Sequence, residues 1–218
     1  MARQAWIVAA RIAALGAQAL SRARRRLGWR DRQRFARFRS DKRRREFLAA
    51  RCLLQRLGKG LPFDSSPRHG VKMTGRFGAS VSHARGWVAC VVVSSGRPGI
   101  DIEQMLERDY AKLAEWVEAD GGGRLQAGPD MRKAFYRHWT RYEARIKAFG
   151  NGKARASHDE HTWFLAGGVA LSVCVPARTS LRLDTSLLDH GRPFHPFGAD
   201  RGGQRFRRAT HRVGAELE

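Results

Sequence analysis

Two carboxylates, Asp101 and Glu103, lie two positions apart in the apolar stretch GIDIE at residues 99–103. On a β-strand, residues two apart point to the same face and lie roughly 6–7 Å apart, whereas Ile100 and Ile102 point to the opposite face. Neighbouring carboxylates repel each other unless a cation lies between them, and Mg²⁺ prefers oxygen ligands of this kind. The pattern predicts a divalent-metal site on a strand, although a solvated edge strand has the same pattern.

A second pair of charged residues lies in the stretch WTRYEARIKAFG at residues 139–150. The spacing predicts a helix on which Glu143 and Lys147, four positions apart, share a face. An ordinary surface ion pair has the same spacing and stabilises a helix by only roughly 0.2–0.5 kcal/mol. The pair is therefore a candidate for chemistry only if the fold carries it to the carboxylates of the predicted strand.

Two further motifs could bind an anion. Ser82 and His83 end the predicted strand GASVSHA just before a turn, where a histidine can donate a hydrogen bond to a phosphate. The predicted helix after Ser40 begins with the basic run KRRR at residues 42–45 and carries Arg51 further along. Such side chains bind phosphate oxygens, although most cations on one helix must face solvent.

The charge of the chain is large and uneven. The 218 residues have a formal net charge of +22, and residues 1–60 hold 18 Lys and Arg against 3 Asp and Glu. Residues 99–120 instead hold 7 acidic and 2 basic residues. The basic front predicts a polyanionic partner, which could be a nucleic acid, a phosphorylated small molecule, an acidic protein or an anionic membrane.

Cysteine usage and hydropathy bear on the compartment. Cys52, Cys90 and Cys174 are odd in number, form no CxxC pair and each lie in an apolar run, which predicts reduced, buried thiols and a cytoplasmic protein. The N-terminal apolar stretch resembles a signal peptide, but Arg11 interrupts it. No apolar run reaches the ~20 residues of a membrane helix, so we expect no membrane partner.

The elements that must position these residues mix helices and strands, which predicts an α+β fold. Strands are expected at 5–10, 78–84, 87–95, 100–103 and in two parts of 161–176, helices at 20–38, 40–58, 108–120 and 131–150, and loops at 61–70 and 151–160. A divide is expected at the turn near residues 96–99. The predicted units are an N-terminal half at 1–97, a C-terminal half at 98–186, and a weakly ordered basic tail at 187–218.

The order and spacing of the motifs resemble those of the 4′-phosphopantetheinyl transferases of the surfactin-synthetase-activating type. That family carries a Ser-His pair, then G-(I/V)-D-(I/V)-E, and then W-(S/T)-x-K-E-(A/S)-x-x-K-x-x-G. Residues 99–103 match the second motif throughout. The third motif is matched by Trp139, Thr140, Glu143, Ala144, Lys147 and Gly150. The resemblance extends over about residues 5–185 and includes the basic helical region at its start.

The resemblance implies a fold and an activity. The fold would be two similar α+β halves related by a pseudo-twofold axis, with coenzyme A in the cleft between them. The enzyme would move the 4′-phosphopantetheine arm of coenzyme A to a serine of an acyl or peptidyl carrier protein and release adenosine 3′,5′-bisphosphate. Mg²⁺ would be the metal, Mn²⁺ would fit the same ligands, and a monomer would suffice because the two halves form the cleft. Fatty-acid, polyketide and peptide synthesis all remain open as the pathway.

The resemblance also implies roles for individual residues. The metal ligands would be Asp101, Glu103 and Glu143. Lys147 would contact phosphate oxygens near the attacked phosphorus, and either Glu143 or a metal-bound water would take the proton of the serine. His83 would contact the 3′-phosphate. The full set of coenzyme-binding residues would be Arg37, Arg45, Arg68, Lys72, Ser82, His83 and Lys147.

Two departures and two alternatives stay open. Tyr142 stands where the family has a lysine, and Val71-Lys72 stand where many members have Lys-Pro. A Mg²⁺-dependent nuclease or nucleic-acid-binding protein would use the same acidic pair and basic front, but GIDIEQ lacks the lysine that nucleases of the D…(D/E)-x-K type carry. An inactive relative that only binds a carrier protein is the other alternative.

Overall fold

The computed structural model describes residues 2–57, 63–66, 70–73, 77–119, 131–184 and 186–188. The strands are β1 Arg3–Arg11, β2 Phe63–Ser66, β3 Gly70–Met73, β4 Gly78–Ala84, β5 Trp87–Val93, β6 Gly99–Gln104, β7 His158–Leu165, β8 Val169–Pro176 and β9 Thr179–Asp184. The helices are α1 Gly16–Arg25, α2 Trp29–Ala36, α3 Asp41–Leu57, α4 Tyr110–Ala119 and α5 Met131–Phe149, and a short 3-10 helix spans Ile12–Leu15. The predicted α+β class is confirmed.

The strands form two sheets, and each sheet contains the same three-strand arrangement. The larger sheet has the order β2-β3-β4-β5-β1-β9 and the smaller one β6-β8-β7. In the larger sheet β5 lies between β1 and β4 and is antiparallel to both, and in the smaller sheet β8 lies in the same way between β6 and β7. Taken in chain order, the three strands are β1, β4 and β5 in the larger sheet and β6, β7 and β8 in the smaller one. In both sheets helices lie between the first and the second of these strands along the chain, and the third strand is central.

The two sheets pack face to face, with helices on the outside. On the inner side, Ile7 of β1 and Val91 of β5 belong to the same apolar cluster as Ile100, Ile102 and Val173 of the smaller sheet. The other face of the larger sheet packs on Leu53 and Leu54 of α3, and the other face of the smaller sheet packs on Ala144 and Ala148 of α5. The strand β5 is buried along its whole length because both of its faces are covered.

A buried ion pair joins the basic helices α2 and α3. The Arg51 guanidinium of α3 donates through Nε and Nη2 to the two carboxylate oxygens of Asp31 in α2, at 2.6 and 3.0 Å. Both side chains are 3% exposed, and Arg51 also lies 4.3 Å from the centre of the Phe47 ring. A bidentate pair of this kind fixes orientation as well as distance. The pair therefore sets how α2 lies against α3.

Most predicted elements are present, and three expectations are corrected. The loop predicted at 61–70 contains β2 and the start of β3, and β7 already begins at His158 inside the loop predicted at 151–160. Short, polar edge strands such as FDSS give little periodic signal. The single helical region predicted at 20–38 is two helices, because the chain is not helical at Leu27 and Gly28.

The remaining expectations about organisation have mixed outcomes. The division into halves near residue 97 stays a prediction. Of the predicted tail, Leu187 is buried against the larger sheet, and residues 189–218 lie outside the described part of the chain.

The three cysteines are buried, and burial raises the pKa of Cys52 to about 11. None of the described helices is both long and apolar enough to cross a membrane.

Candidate functional site

Asp101 is the centre of a buried polar cluster. It lies on β6 with only 4% of its surface exposed. Its Oδ1 accepts hydrogen bonds from the Lys147 ammonium of α5 at 2.6 Å and from the Ser82 hydroxyl of β4 at 2.8 Å, and Lys147 also donates to Ser82 Oγ at 2.9 Å. Its Oδ2 is buried and has no hydrogen-bond partner among the residues that the structure describes. One carboxylate oxygen is thus fully engaged, while the other is unsatisfied.

Close packing of α5 on β6 makes this cluster possible. A Cβ atom at Gly99, the first residue of β6, would lie 1.8 Å from the carbonyl oxygen of Ala144. Only glycine permits this approach of the strand to the helix backbone. Lys147 lies less than one turn beyond Ala144, so the close approach brings its ammonium within reach of Asp101. The glycine of the GIDIE motif therefore places the motif's aspartate against the helix.

Glu103 and Glu143 lie within electrostatic range of Asp101. Burial raises the pKa of Glu103, and the Asp101 charge raises it further, whereas Lys147 and a hydrogen bond from Trp139 lower it. Burial likewise raises the pKa of Glu143, with the same contribution from Asp101 and the same opposition from Lys147. The residues that the sequence analysis singled out on two distant motifs are therefore neighbours in the fold.

The charges of this cluster suit a divalent cation. Three carboxylates face one ammonium, and an unsatisfied buried carboxylate oxygen is costly unless a cation or a donor satisfies it. The side chains do not form a ready-made centre, because within the described ranges no three His, Cys, Asp or Glu side chains converge closely enough to hold a metal ion. The donor set nevertheless fits Mg²⁺ or Mn²⁺ chemically, with Asp101 Oδ2 as the first oxygen available.

A basic pocket lies on the other side of β4. Its volume is about 460 Å³, and its walls come from the start of α3, from β4 and from the turn after β4. The lining residues are Ser40, Lys42, Arg43, Glu46, His83 and Arg85. Three permanent cations face one carboxylate here, so the pocket favours an anion.

Glu46 organises the interior of this pocket. It is 6% exposed, lies 3.5 Å from the Arg43 guanidinium and lies 3.7 Å from His83 Nδ1. Burial lowers the pKa of His83, and Arg43 and Lys147 lower it further, whereas Glu46 raises it. The imidazole is therefore mostly neutral at pH 7 until a bound anion adds negative charge beside it.

Strand β4 separates the two sites. Successive side chains of a strand point to opposite faces, so Ser82 points toward Asp101 while His83 points toward Glu46 of α3. The two residues of the Ser-His motif therefore lie at two different sites, Ser82 at the carboxylate cluster and His83 at the basic pocket.

Four other residues were predicted to bind the coenzyme, namely Arg37, Arg45, Arg68 and Lys72. Arg37, at the end of α2, and Arg45, on α3, are exposed, and neither lines the basic pocket. Arg68 lies outside the described residues, and Lys72 is described only as a residue of β3 whose partners in the ladder are Asp64 and Gly78. Arg37 and Arg45 therefore lie outside the pocket lining, and the roles of Arg68 and Lys72 stay predictions.

The sequence analysis singled out the basic run that contains Lys42 and Arg43, without deciding which of its members would bind an anion, and it did not single out Arg85. In the structure the Arg44 N–H donates to the Ser40 carbonyl at 3.0 Å, so Lys42 and Arg43 lie in the first turn of α3. Anions are favoured at that end of a helix. Arg85 carries a weaker signal, since it lies in the predicted turn and has a positive φ of 45°.

Tyr142 belongs to an aromatic group beside Glu143. Its ring stacks on Trp139 with centroids 6.3 Å apart and meets Trp116 of α4 edge-on at 5.3 Å. A Cβ atom at Gly152 would lie 2.0 Å from the Tyr142 ring, so the loop after α5 packs closely on it. Tyr142, which stands where the motif of the resembling family has a lysine, thus contributes to the packing of α4 against α5.

No protein-family model matches the sequence, and no curated protein is significantly similar to it. The function must therefore be inferred from the two sites and from the motifs that build them.

Proposed function

We propose that this protein transfers the 4′-phosphopantetheine arm of coenzyme A to a serine of an acyl or peptidyl carrier protein, with adenosine 3′,5′-bisphosphate as the second product. One observation carries the proposal. Two motifs 36 residues apart in the sequence meet in the fold, where Lys147 Nζ lies 2.6 Å from Asp101 Oδ1. Burial raises the pKa of Glu103 and Glu143, from the same two motifs, and the Asp101 charge raises both further, so the three carboxylates interact.

The repeated three-strand unit supports the corresponding architecture. Each unit has its third strand in the centre and a long helix, α3 or α5, on its outer face. Two such units are what a pseudo-twofold pair of halves requires, with the coenzyme bound where the halves meet. Ser82 of the first unit and Asp101 of the second already touch across this junction. A monomer would thus contain the complete site.

In this proposal Asp101, Glu103 and Glu143 hold a divalent cation, Mg²⁺ or Mn²⁺. When bound, such an ion supplies neutralisation and alignment of phosphate oxygens, which are the main needs of phosphoryl transfer. Lys147 has two of its three N–H groups on Asp101 and Ser82, and its third can donate to a phosphate oxygen. The protein thus provides positive charge where negative charge develops.

Glu143 is the residue that we assign to proton removal. The serine oxygen forms a bond to the phosphorus next to the pantetheine arm, and the bond from that phosphorus to the bridging oxygen of the pyrophosphate breaks. The leaving group departs as adenosine 3′,5′-bisphosphate, and the serine proton passes to the Glu143 carboxylate. A carboxylate can act as the general base where it lies within hydrogen-bond reach of the proton that it removes.

The basic pocket suits the 3′-phosphate of coenzyme A. Lys42, Arg43 and Arg85 would pair with its charge, and His83 would donate a hydrogen bond to it. The pocket and the carboxylate cluster lie on opposite faces of β4 and so could hold two separate phosphate groups of one molecule. The acidic character of many carrier proteins matches the positive charge of the chain.

The direct test is mass spectrometry of apo carrier proteins after incubation with the protein, coenzyme A and Mg²⁺. We expect a gain of about 340 Da on at least one acyl or peptidyl carrier protein, and no gain in EDTA. A carrier protein whose target serine is replaced by alanine is the control. No gain on carrier proteins of fatty-acid, polyketide and peptide type, together with Mg²⁺-dependent cleavage of nucleic acid, would favour the nuclease alternative.

The pocket assignment predicts a selective loss of coenzyme binding. The double variant Lys42→Gln/Arg85→Gln should raise the KM for coenzyme A by about 10- to 100-fold, since each charge-assisted hydrogen bond contributes about 1.5 kcal/mol. The KM for dephospho-coenzyme A, which lacks the 3′-phosphate, should not change. Steady-state kinetics with both substrates measures the difference.

Arg45→Gln is the matched control for this pair, because Arg45 lies on the same helix outside the pocket lining. It should leave both KM values within twofold of the wild type. Equal losses with the two substrates in the double variant would show that the pocket does not bind the 3′-phosphate.

A further inference from the structure

Among the side chains that the structure describes in the larger sheet, Ser82 is the one that hydrogen-bonds to both Asp101 and Lys147. Its hydroxyl donates a hydrogen bond to Asp101 Oδ1, and its oxygen accepts a hydrogen bond from the Lys147 ammonium. The three atoms form a closed triangle with sides of 2.6, 2.8 and 2.9 Å. Ser82 is 7% exposed, so the triangle is buried.

The triangle of hydrogen bonds does not include the second carboxylate oxygen of Asp101. Oδ2 is buried and unsatisfied within the described part of the chain, although a flexible ammonium lies beside the same carboxylate. A lysine side chain rotates freely about four bonds and would bridge both oxygens if nothing else held it. Among the described residues, Ser82 is the second hydrogen-bond acceptor of Lys147, and it lies on the Oδ1 side.

We propose that Ser82 is a positioning residue that holds the Lys147 ammonium on one oxygen of Asp101 and so keeps the other oxygen available to a divalent cation. The inference rests on the proposed function, because it concerns the same metal and phosphate site. It differs from the role that the family resemblance implies for Ser82, which is contact with the coenzyme. In the fold His83, on the opposite face of β4, lines the basic pocket, and Ser82 does not.

Removal of the hydroxyl should let Lys147 compete with the cation. In Ser82→Ala, Lys147 loses one of its two partners and can spread over both oxygens of Asp101. We expect the affinity for Mn²⁺, measured by electron paramagnetic resonance without coenzyme or carrier protein, to fall about tenfold. We also expect kcat to fall about tenfold at saturating Mg²⁺, with the KM for coenzyme A within twofold of the wild type.

The chain supplies a matched control and a rescue. Ser80 lies two residues earlier on the same face of β4, is as buried as Ser82, and accepts a hydrogen bond from the Ile100 N–H at 3.3 Å. Ser80→Ala removes a buried hydroxyl without touching Asp101 or Lys147, so it should leave Mn²⁺ affinity and kcat unchanged. Ser82→Thr keeps the hydroxyl and should restore both quantities. Thermal melts show whether each variant is folded.

The outcomes separate this inference from the proposed function. Wild-type Mn²⁺ affinity in a folded Ser82→Ala variant overturns the inference alone, since the wild type still binds metal and transfers the arm. A higher KM for coenzyme A with unchanged Mn²⁺ affinity would return Ser82 to coenzyme contact. A wild-type protein that binds no Mn²⁺ and modifies no carrier protein overturns both.

Discussion

Asp101→Asn is expected to lower the rate of phosphopantetheine transfer by about a thousandfold while the protein stays folded. The amide has nearly the shape of the carboxylate, and its oxygen can still accept from Lys147 and Ser82. The variant loses the negative charge that a cation needs and adds a donor NH₂ group where Oδ2 stood. Loss of one electrostatic group in a preorganised site typically costs roughly 10²–10³ in rate.

Initial rates of carrier-protein modification, followed by mass spectrometry, measure this loss. Asp109→Asn is the matched control, because Asp109 belongs to the same acidic region, is 57% exposed and pairs only with Lys112 among its described neighbours. The control should retain the wild-type rate. A folded Asp101→Asn variant that retains more than a tenth of that rate would remove Asp101 from the reaction.

Gly99→Ala is expected to destabilise the protein and to inactivate it together. The added methyl group would lie 1.8 Å from the Ala144 carbonyl oxygen, so β6 and α5 must separate. Overpacking of this kind costs about 3 kcal/mol of unfolding free energy, which lowers the melting temperature by about 6–12 °C in a chain of this size. Because Glu143 and Lys147 move with α5, a shift near 1 Å should also lower kcat by about a hundredfold.

Calorimetric melts and steady-state kinetics at a temperature where the variant is folded check the two effects. Gly86→Ala provides the comparison, since its φ is +82° and no described atom lies within 4 Å of the added methyl group. The left-handed conformation there costs about 1 kcal/mol, with no change in kcat. If Gly99→Ala resembles Gly86→Ala in both measurements, the close approach does not position the site.

The sequence predicts well the parts of the fold whose signal is local. The apolar run of β5 and the stripe of α3 need no knowledge of their partners, and Gly150, with φ of +85°, ends α5 where expected. The alternation in GIDIE likewise assigned Asp101 and Glu103 to one face and the two isoleucines to the buried one. For these elements, secondary structure and side-chain direction follow from the spacing of apolar and polar residues.

Contacts between elements could not be predicted in the same way. The Ser82–Lys147 hydrogen bond joins residues 65 positions apart and exists only because two sheets and a helix meet there. The pocket around Glu46 also combines α3 with the turn after β4. Strand alternation predicts that Ser82 and His83 point to opposite faces, but it does not predict which residues they contact. The local sequence pattern thus predicts the direction of a side chain, whereas the packing of helices and sheets decides its contacts.

The position of β4 between the two sites constrains the shape of any molecule that uses both. Such a molecule cannot lie straight, because the strand stands between its two anionic ends. One route between the two sites passes the end of β4 at Ala84, beside Arg85 of the pocket. Flexible nucleotides with their phosphates on separate arms can adopt this hairpin shape. A stiff bisphosphate of equal charge and length would be confined to one side of the strand.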